Sequence, residues 1–235
     1  MVIPAKDEAR RIEATVRAAA KVPYVDAVIV VDDGSSDATA DIARDAGAVV
    51  TQHRRNRGKA AAMESGAEVV RVLDQRDGSV RSLLFLDADL EDTAAAAGPL
   101  VAPVVDDEVD MTIAILPRQH SPGGGSGRVV RLSRDGIVRA TGFTPTQPLS
   151  GQRCLTRPAF DAALPLAHGF GVETALTIDL LRAGFRVREV EVPFHHRVTG
   201  TDWWAKVHRG RQFADVARAL AVRELRERLR RGASR

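Results

Sequence analysis

Asp26-Ala27-Val28-Ile29-Val30-Val31-Asp32-Asp33-Gly34-Ser35-Ser36-Asp37 decides the architecture of this chain. Ala27 to Val31 is a short unbroken apolar run, rich in β-branched side chains and bounded by acids. Such a run reads as a strand covered on both faces, the mark of a parallel sheet. Asp33 to Asp37 then supplies turn and helix-start residues, and the chain enters a helix that stops at Gly47. Strand, polar turn and helix in that order make half of a βαβ unit.

The same order recurs on both sides. Upstream, Val2-Ile3-Pro4 reads as the stub of a first strand, followed by a helix over about Glu8 to Ala20 with Ile12, Val16 and Ala19 on one face. Downstream come a strand at Ala48–Thr51, a helix after the basic stretch Arg54 to Lys59, a buried strand at Ser82–Leu86 ending in Asp87-Ala88-Asp89, and another at Asp110–Leu116. This alternation predicts an α/β layered domain with a mostly parallel central sheet flanked by helices, and functional loops at the carboxyl ends of the strands. The second half is less regular. A Gly-rich loop, Gly123 to Gly127, leads into a helix from Arg128. A helix over Val172–Ala183 ends at Gly184, Arg186–Val192 alternates as a strand, and a basic C-terminal helix starts near Trp203. With no linker or repeat, residues 1–235 read as a single domain made of 1–90, 91–200 and a helical tail, 201–235.

Composition narrows the classes. At 235 residues and 44% hydrophobic the chain can build a sizeable core and is too apolar for disorder. The lone Cys154 excludes an intramolecular disulfide and argues against a cysteine-rich zinc site. The longest Ala/Val-rich stretch, Ala94 to Val105, is broken by Gly98, Pro99 and Pro103, so nothing reaches the roughly 20 apolar residues of a membrane span. No leader is read ahead of the fold, and a cytoplasmic protein is expected. The net charge is +3, yet residues 200–235 carry ten basic and four acidic side chains, which leaves the rest mildly acidic. A basic tail on an acidic body does not suggest a nucleic-acid protein.

Three polar clusters each follow a strand and so face one rim of the sheet: Asp32-Asp33-Gly34-Ser35, Arg54 to Lys59, and Asp87-Ala88-Asp89. Acids and bases together suit a ligand with both a diphosphate and hydroxyl-rich rings. Carboxylates hold a hard divalent cation or accept from sugar hydroxyls and base N–H groups, and Lys59 offers phosphate a point charge. Each cluster alone has a plainer reading: a chance Asp-x-Asp, a capped turn, a solvated basic loop. Other phosphate folds fit worse. Lys59 is followed by Ala60, where a P-loop needs Ser or Thr, and the first βα turn lacks the dinucleotide glycines. An aspartyl phosphatase would want Thr or Val where Glu91 stands.

Val2-Ile3-Pro4-Ala5-Lys6-Asp7-Glu8, Val30 to Asp37 and Asp87-Ala88-Asp89, at these separations, resemble the nucleotide-sugar half of family 2 type glycosyltransferases with the GT-A fold. Further on, Arg57-Gly58-Lys59, Gly123-Gly124-Gly125 with Gly127-Arg128-Val129, Gln147 to Gly151, Gly169 to Glu173 and His196-Arg197 are most similar to glucosyl-3-phosphoglycerate synthases. Gly169 to Glu173 also resembles polyprenyl-phosphate sugar transferases. The resemblance makes 1–90 the nucleotide-binding half and 91–200 the acceptor half. It implies that Pro4, Ala5, Glu8 and Asp33 line the uracil or other base, that Lys59 lies near the nucleotide, and that Asp87 with Ala88 contacts ribose or metal. Asp89 and His196 would bind a divalent metal, Mg²⁺ or Mn²⁺, bridging the diphosphate, with His195 as the neighbouring rival. Gly127, Arg128 and Val129, with Gly151 and Gln152, would bind an anionic acceptor, a glycine-rich helix start being a sound anion site.

Departures fall near the acceptor: Val130 replaces a hydroxyl residue, Gln152-Arg153 an acidic–aromatic pair, and Val198 an amide. Family members also carry a longer lead before the first strand than the one residue ahead of Val2. The implied reaction moves a sugar, glucose from UDP-glucose, to a small anionic acceptor, with Glu173, Asp89 and Lys59 as catalytic residues. On an inverting route Glu173 is the base. On a retaining one the departing phosphate takes the proton and Glu173 orients a substrate. Glu173 could also be a helix N-terminal acid and no more. The implied partners are a UDP- or GDP-sugar, the acceptor and a second copy in a homodimer. The alternatives are transfer to a polyprenyl phosphate by a protein peripheral at the membrane, and a non-catalytic sugar-nucleotide binder.

Overall fold

The computed structural model describes residues 1–117, 127–194 and 203–233, with side chains at all of these except 203–209 and 230–233. Its strands are β1 (Val2–Ala5), β2 (Ile29–Asp32), β3 (Val49–Gln52), β4 (Leu83–Phe85), β5 (Met111–Ile115), β6 (Arg153–Leu155) and β7 (Val187–Glu191). They form one sheet in the order β3-β2-β1-β4-β6-β5-β7. β6 runs antiparallel between β4 and β5, while β1–β2, β2–β3, β1–β4 and β5–β7 pair in parallel. The mostly parallel sheet expected from the alternation is therefore present, with one reversed strand that the pattern did not disclose. Arg153-Cys154-Leu155 is three residues long and begins on a guanidinium, so it offers no apolar run to read.

The helices are α1 (Ile12–Ala19), α2 (Thr39–Asp45), α3 (Lys59–Asp77), α4 (Gly98–Val105), α5 (Gly127–Thr141), α6 (Arg157–Ala162), α7 (Val172–Arg182) and α8 (Trp203–Ala233). The first helix starts later than its apolar spacing suggested, because Glu8 to Arg11 form a turn in which the Arg11 and Ile12 amides both bond to the Glu8 carbonyl. The Ala-rich stretch before α4 winds as a 3₁₀ helix, Glu91–Ala97.

Strand alternation divides the core into two layers. Ile3, Val30 and Leu84 face one side, where Ile12, Val16, Leu100 and Val104 cover them. Val2, Val31, Phe85 and Ile113 face the other, against Met63, Val70, Phe160 and Leu176. Phe85 and Phe160 meet with ring centroids 5.5 Å apart. Covering both faces leaves the strand ends as the place for polar chemistry. Among the described residues no helix is long and apolar enough to cross a membrane.

Candidate active site

The turn after β2 is built on Asp33, which is buried. Its backbone amide continues the sheet by donating to the Ala5 carbonyl at 2.8 Å. Its Oδ1 accepts from His53 Nδ1 at 2.6 Å and from the Arg57 amide at 2.8 Å, and Oδ2 accepts from the Gly58 amide at 2.7 Å. The other ring nitrogen, Nε2, lies 2.9 Å from Ser65 Oγ. Burial alone would raise the Asp33 pKa, but His53 and the two amides outweigh it and hold the carboxyl below its ordinary range. Oδ1 has two donors and Oδ2 one, so Oδ2 retains acceptor capacity for a ligand N–H. Gly34, at φ +71°, is where the chain closes on the next turn. A Cβ there would lie 2.7 Å from the Arg55 carbonyl carbon, so no side chain fits.

The turn after β1 is pinned to the same place. The Asp7 amide donates to Ser35 Oγ at 2.9 Å, the Ser36 amide to Asp7 Oδ1 at 2.7 Å, and the Glu8 amide to Thr39 Oγ1 at 2.8 Å. The Lys6 ammonium first, then Ser36, pulls the Asp7 carboxyl down to about 2. Pro4 and Ala5 end β1 here. Glu8 holds Arg11 Nη1 at 2.7 Å, and Asp89 is among the acids whose field reaches the same guanidinium.

Lys59 opens α3 and joins the two halves of the sheet. Its Nζ lies 2.8 Å from Asp87 Oδ1 and 3.3 Å from Glu173 Oε1, at the first turn of α7. Desolvation works against its charge, yet Asp87 and then Glu173 more than compensate and raise its pKa. Asp87 Oδ2 accepts from Gln152 Nε2 at 2.5 Å, and Gln152 Oε1 accepts from Ser150 Oγ at 3.1 Å. A Cβ on Gly151 would stand where Lys59 Nζ now lies, so a side chain there would displace the ammonium. Ala88 is buried, and its carbonyl accepts from Thr15 Oγ1 at 2.8 Å.

Lys59, Asp87, Glu173, Gly151 and Gln152 thus converge, and Asp33 holds the two amides just ahead of the lysine's helix. Gln152 is buried with its amide on Asp87, so its side chain serves the carboxylate side of the cluster. Gly127, Arg128 and Val129 stand on α5, which is tied to α7 by Ser133 Oγ and Thr174 Oγ1, 2.6 Å apart. Arg128 is exposed there and Val129 buried, which leaves Val129 only its backbone for a ligand. Gly123 to Gly125, His195, His196, Arg197 and Val198 lie outside the described residues.

Hard divalent ions bind carboxylate oxygens, and small ones take one or two together with substrate phosphates. Asp89 is such a donor, partly exposed at the rim, while among the described residues no three His, Cys, Asp or Glu side chains converge on one point. A carboxylate of that kind is the sort of donor that a hard ion shared with a diphosphate takes.

His53, Ser65, Thr15 and Thr177 complete the surroundings and went unread in the sequence, where His53 alone of the four left a signal, one residue beyond β3. Arg153, beside them, was met there only as a departure near the acceptor.

The model for glycosyl transferase family 2 matches residues 1–152. Glycosyltransferase AglJ of Haloferax volcanii is 31% identical over 183 residues, covering 74% of this chain and 56% of that protein. An uncharacterized protein of Methanocaldococcus jannaschii is 25% identical over 201 residues, 82% of this chain and 79% of the other. This chain therefore spans little more than half the length of the Haloferax relative. Among solved structures, glucosyl-3-phosphoglycerate synthase from Mycobacterium tuberculosis with Mn²⁺, UDP and phosphoglyceric acid superposes with a TM-score of 0.73 at 26% identity, over 94% of this chain and 76% of that one. The same enzyme with Mg²⁺ and UDP gives 0.70 at 25% identity, over 94% and 77%.

Proposed function

Because this chain belongs to glycosyl transferase family 2 and has the GT-A fold of its structural neighbours, we propose that it transfers a sugar from a nucleoside diphosphate to a small anionic acceptor, with UDP-glucose as donor. The observation that carries this reading is Lys59 bracketed by Asp87 and Glu173, which brings a phosphate-seeking cation and two acids from both halves of the sheet to one point. In this reading residues 1–90 handle the nucleotide, 91–200 the acceptor, and 201–235 are a tail beyond both.

Each residue has a task. Asp33 Oδ2 accepts from a base N–H, such as the imide of uracil, with Pro4, Ala5 and Glu8 beside it. Asp87, backed by Ala88, would contact the ribose or the metal. Lys59 leaves its carboxylate partners in part for the diphosphate. Asp89 and His196 would hold Mg²⁺ or Mn²⁺, which supplies stabilisation of the charge left on the diphosphate when the anomeric bond breaks. Glu173 faces the acceptor, as a base or as an orienting group. Gly127, Arg128, Val129 and Gly151 receive the acceptor, and Gln152 acts from behind Asp87.

The test is release of UDP from UDP-glucose with Mn²⁺, with and without 3-phosphoglycerate. Turnover is expected, and Asp89→Asn should lower it about 100-fold or more with unchanged thermal unfolding. Absence of turnover and of UDP binding in the wild type, or indifference to Asp89→Asn, would overturn the reading. Hydrolysis of UDP-glucose with no stimulation by 3-phosphoglycerate would retain the donor and remove that acceptor.

A further inference from the structure

Arg153 is 1% exposed at the head of β6, and every acceptor it meets among the described residues is neutral. Its Nε donates to the Ser150 carbonyl at 2.8 Å, Nη1 to Thr177 Oγ1 at 2.9 Å and Nη2 to the Pro148 carbonyl at 3.3 Å, with Met111 Sδ 3.9 Å from Nη1. Burial drives its pKa down to about 10, with the fields of Glu173 and Glu189 opposing. A buried cation without an ion-pair partner opposes folding, and an apolar side chain could fill the same volume. What an apolar side chain cannot do is tie three groups on two elements together.

Those groups belong to the two parts of the candidate site. Ser150 and Pro148 lie in the irregular segment that delivers Gly151 to Lys59 and Gln152 to Asp87. Thr177 stands one turn beyond Glu173 in α7, its hydroxyl donating to the Glu173 carbonyl of the same helix at 2.9 Å. The segment is held from other sides as well. Arg134 donates to the Pro145 and Thr146 carbonyls at 2.9 and 2.8 Å. Glu189 accepts from the Thr146 and Gln147 amides at 2.7 and 2.8 Å, and Gln147 Nε2 donates to the Leu116 carbonyl at 2.6 Å. A loop without backbone ladders is thereby fixed by side chains, which is how a reacting constellation is held to tolerance.

We propose that Arg153 is a positioning residue for sugar transfer, setting the 148–152 segment, and with it Lys59 and Asp87, against the turn of α7 that carries Glu173. The proposal rests on the sugar-transfer reading. It assigns the arginine to catalysis through others, since it touches no reacting atom.

Thr177→Val, nearly the same shape, removes the oxygen by which Arg153 holds α7, the helix that carries Glu173, and leaves the Arg153 bonds to Ser150 and Pro148 in place. Arg153→Lys keeps the charge and loses the fork. Both variants and their double mutant are compared with wild type for thermal unfolding, UDP affinity by calorimetry with Mn²⁺, and the kcat and KM of UDP release from UDP-glucose. Thr177→Val is expected to bind UDP within about twofold of wild type, to keep its KM and to lose about tenfold or more in kcat, because small misplacements of reacting groups are expensive. The double mutant should be no slower than Arg153→Lys, since both changes break one connection. An unchanged kcat in folded Thr177→Val, or a loss lying wholly in KM or UDP affinity, overturns the positioning role, and this variant decides if Arg153→Lys does not fold. A wild type that neither binds UDP nor releases it overturns the sugar-transfer reading and the proposal with it.

Discussion

The Asp33 carboxylate gathers an imidazole and two amides of the turn into α3, and its titration reports on them. Because its native pKa is depressed while an unfolded aspartate titrates near about 3.9, it favours folding above about pH 4. That contribution is lost as the pH falls through the lower native value. Asp33→Asn should therefore be less stable than wild type at neutral pH, and the difference should shrink as urea titrations are moved below about pH 4. A constant difference down to the acid limit would show that the carboxylate's charge is immaterial. At this scale the acids and the lysine were legible, since Asp33, Asp87 and Lys59 each follow a strand or open a helix. Arg153 was legible only as a departure from a family pattern, because nothing in its neighbours along the chain says that it is buried.

Between residue and fold, α1 holds the loop after β4. Thr15, wholly buried, donates to the Ala88 carbonyl and accepts from the Glu91 amide at 2.9 Å, spanning the turn that carries Asp89. Thr15→Val keeps the shape and takes away the partner of the buried Ala88 carbonyl and the half-buried hydrogen bond of the Glu91 amide. It should cost about 1–3 kcal/mol in denaturant unfolding and weaken Mn²⁺-dependent UDP binding as Asp89 loosens. Stability and binding both unchanged would mean the turn holds itself. Elements with a strong local period were readable: β2 and β4 by apolar runs, α7 by its spacing and its glycine stop. β6 was not, because its three residues gain their strand character from two neighbouring strands that exist only once the sheet has formed.

For the molecule as a whole, two apolar layers seal the faces of the sheet and leave its carboxyl rim for ligands. A ligand bound only by the folded state stabilises it by mass action, by about 2.7 kcal/mol at a hundred times its Kd. UDP with Mn²⁺ should accordingly raise the Tm, UDP alone should raise it less, and a chelator should reverse the difference. Equal shifts with and without the ion would separate nucleotide binding from the metal.

What the chain determined by itself is the succession of strands and helices and the attachment of a polar cluster to each strand end, because hydrophobic period and turn chemistry act between residues a few positions apart. The contact of Lys59 with both Asp87 and Glu173, the reversed strand β6 and the buried guanidinium beneath the loop were decided only in three dimensions. They join residues far apart in sequence, and the forces involved, desolvation and hydrogen bonding in a closed interior, take their values from the packing around them.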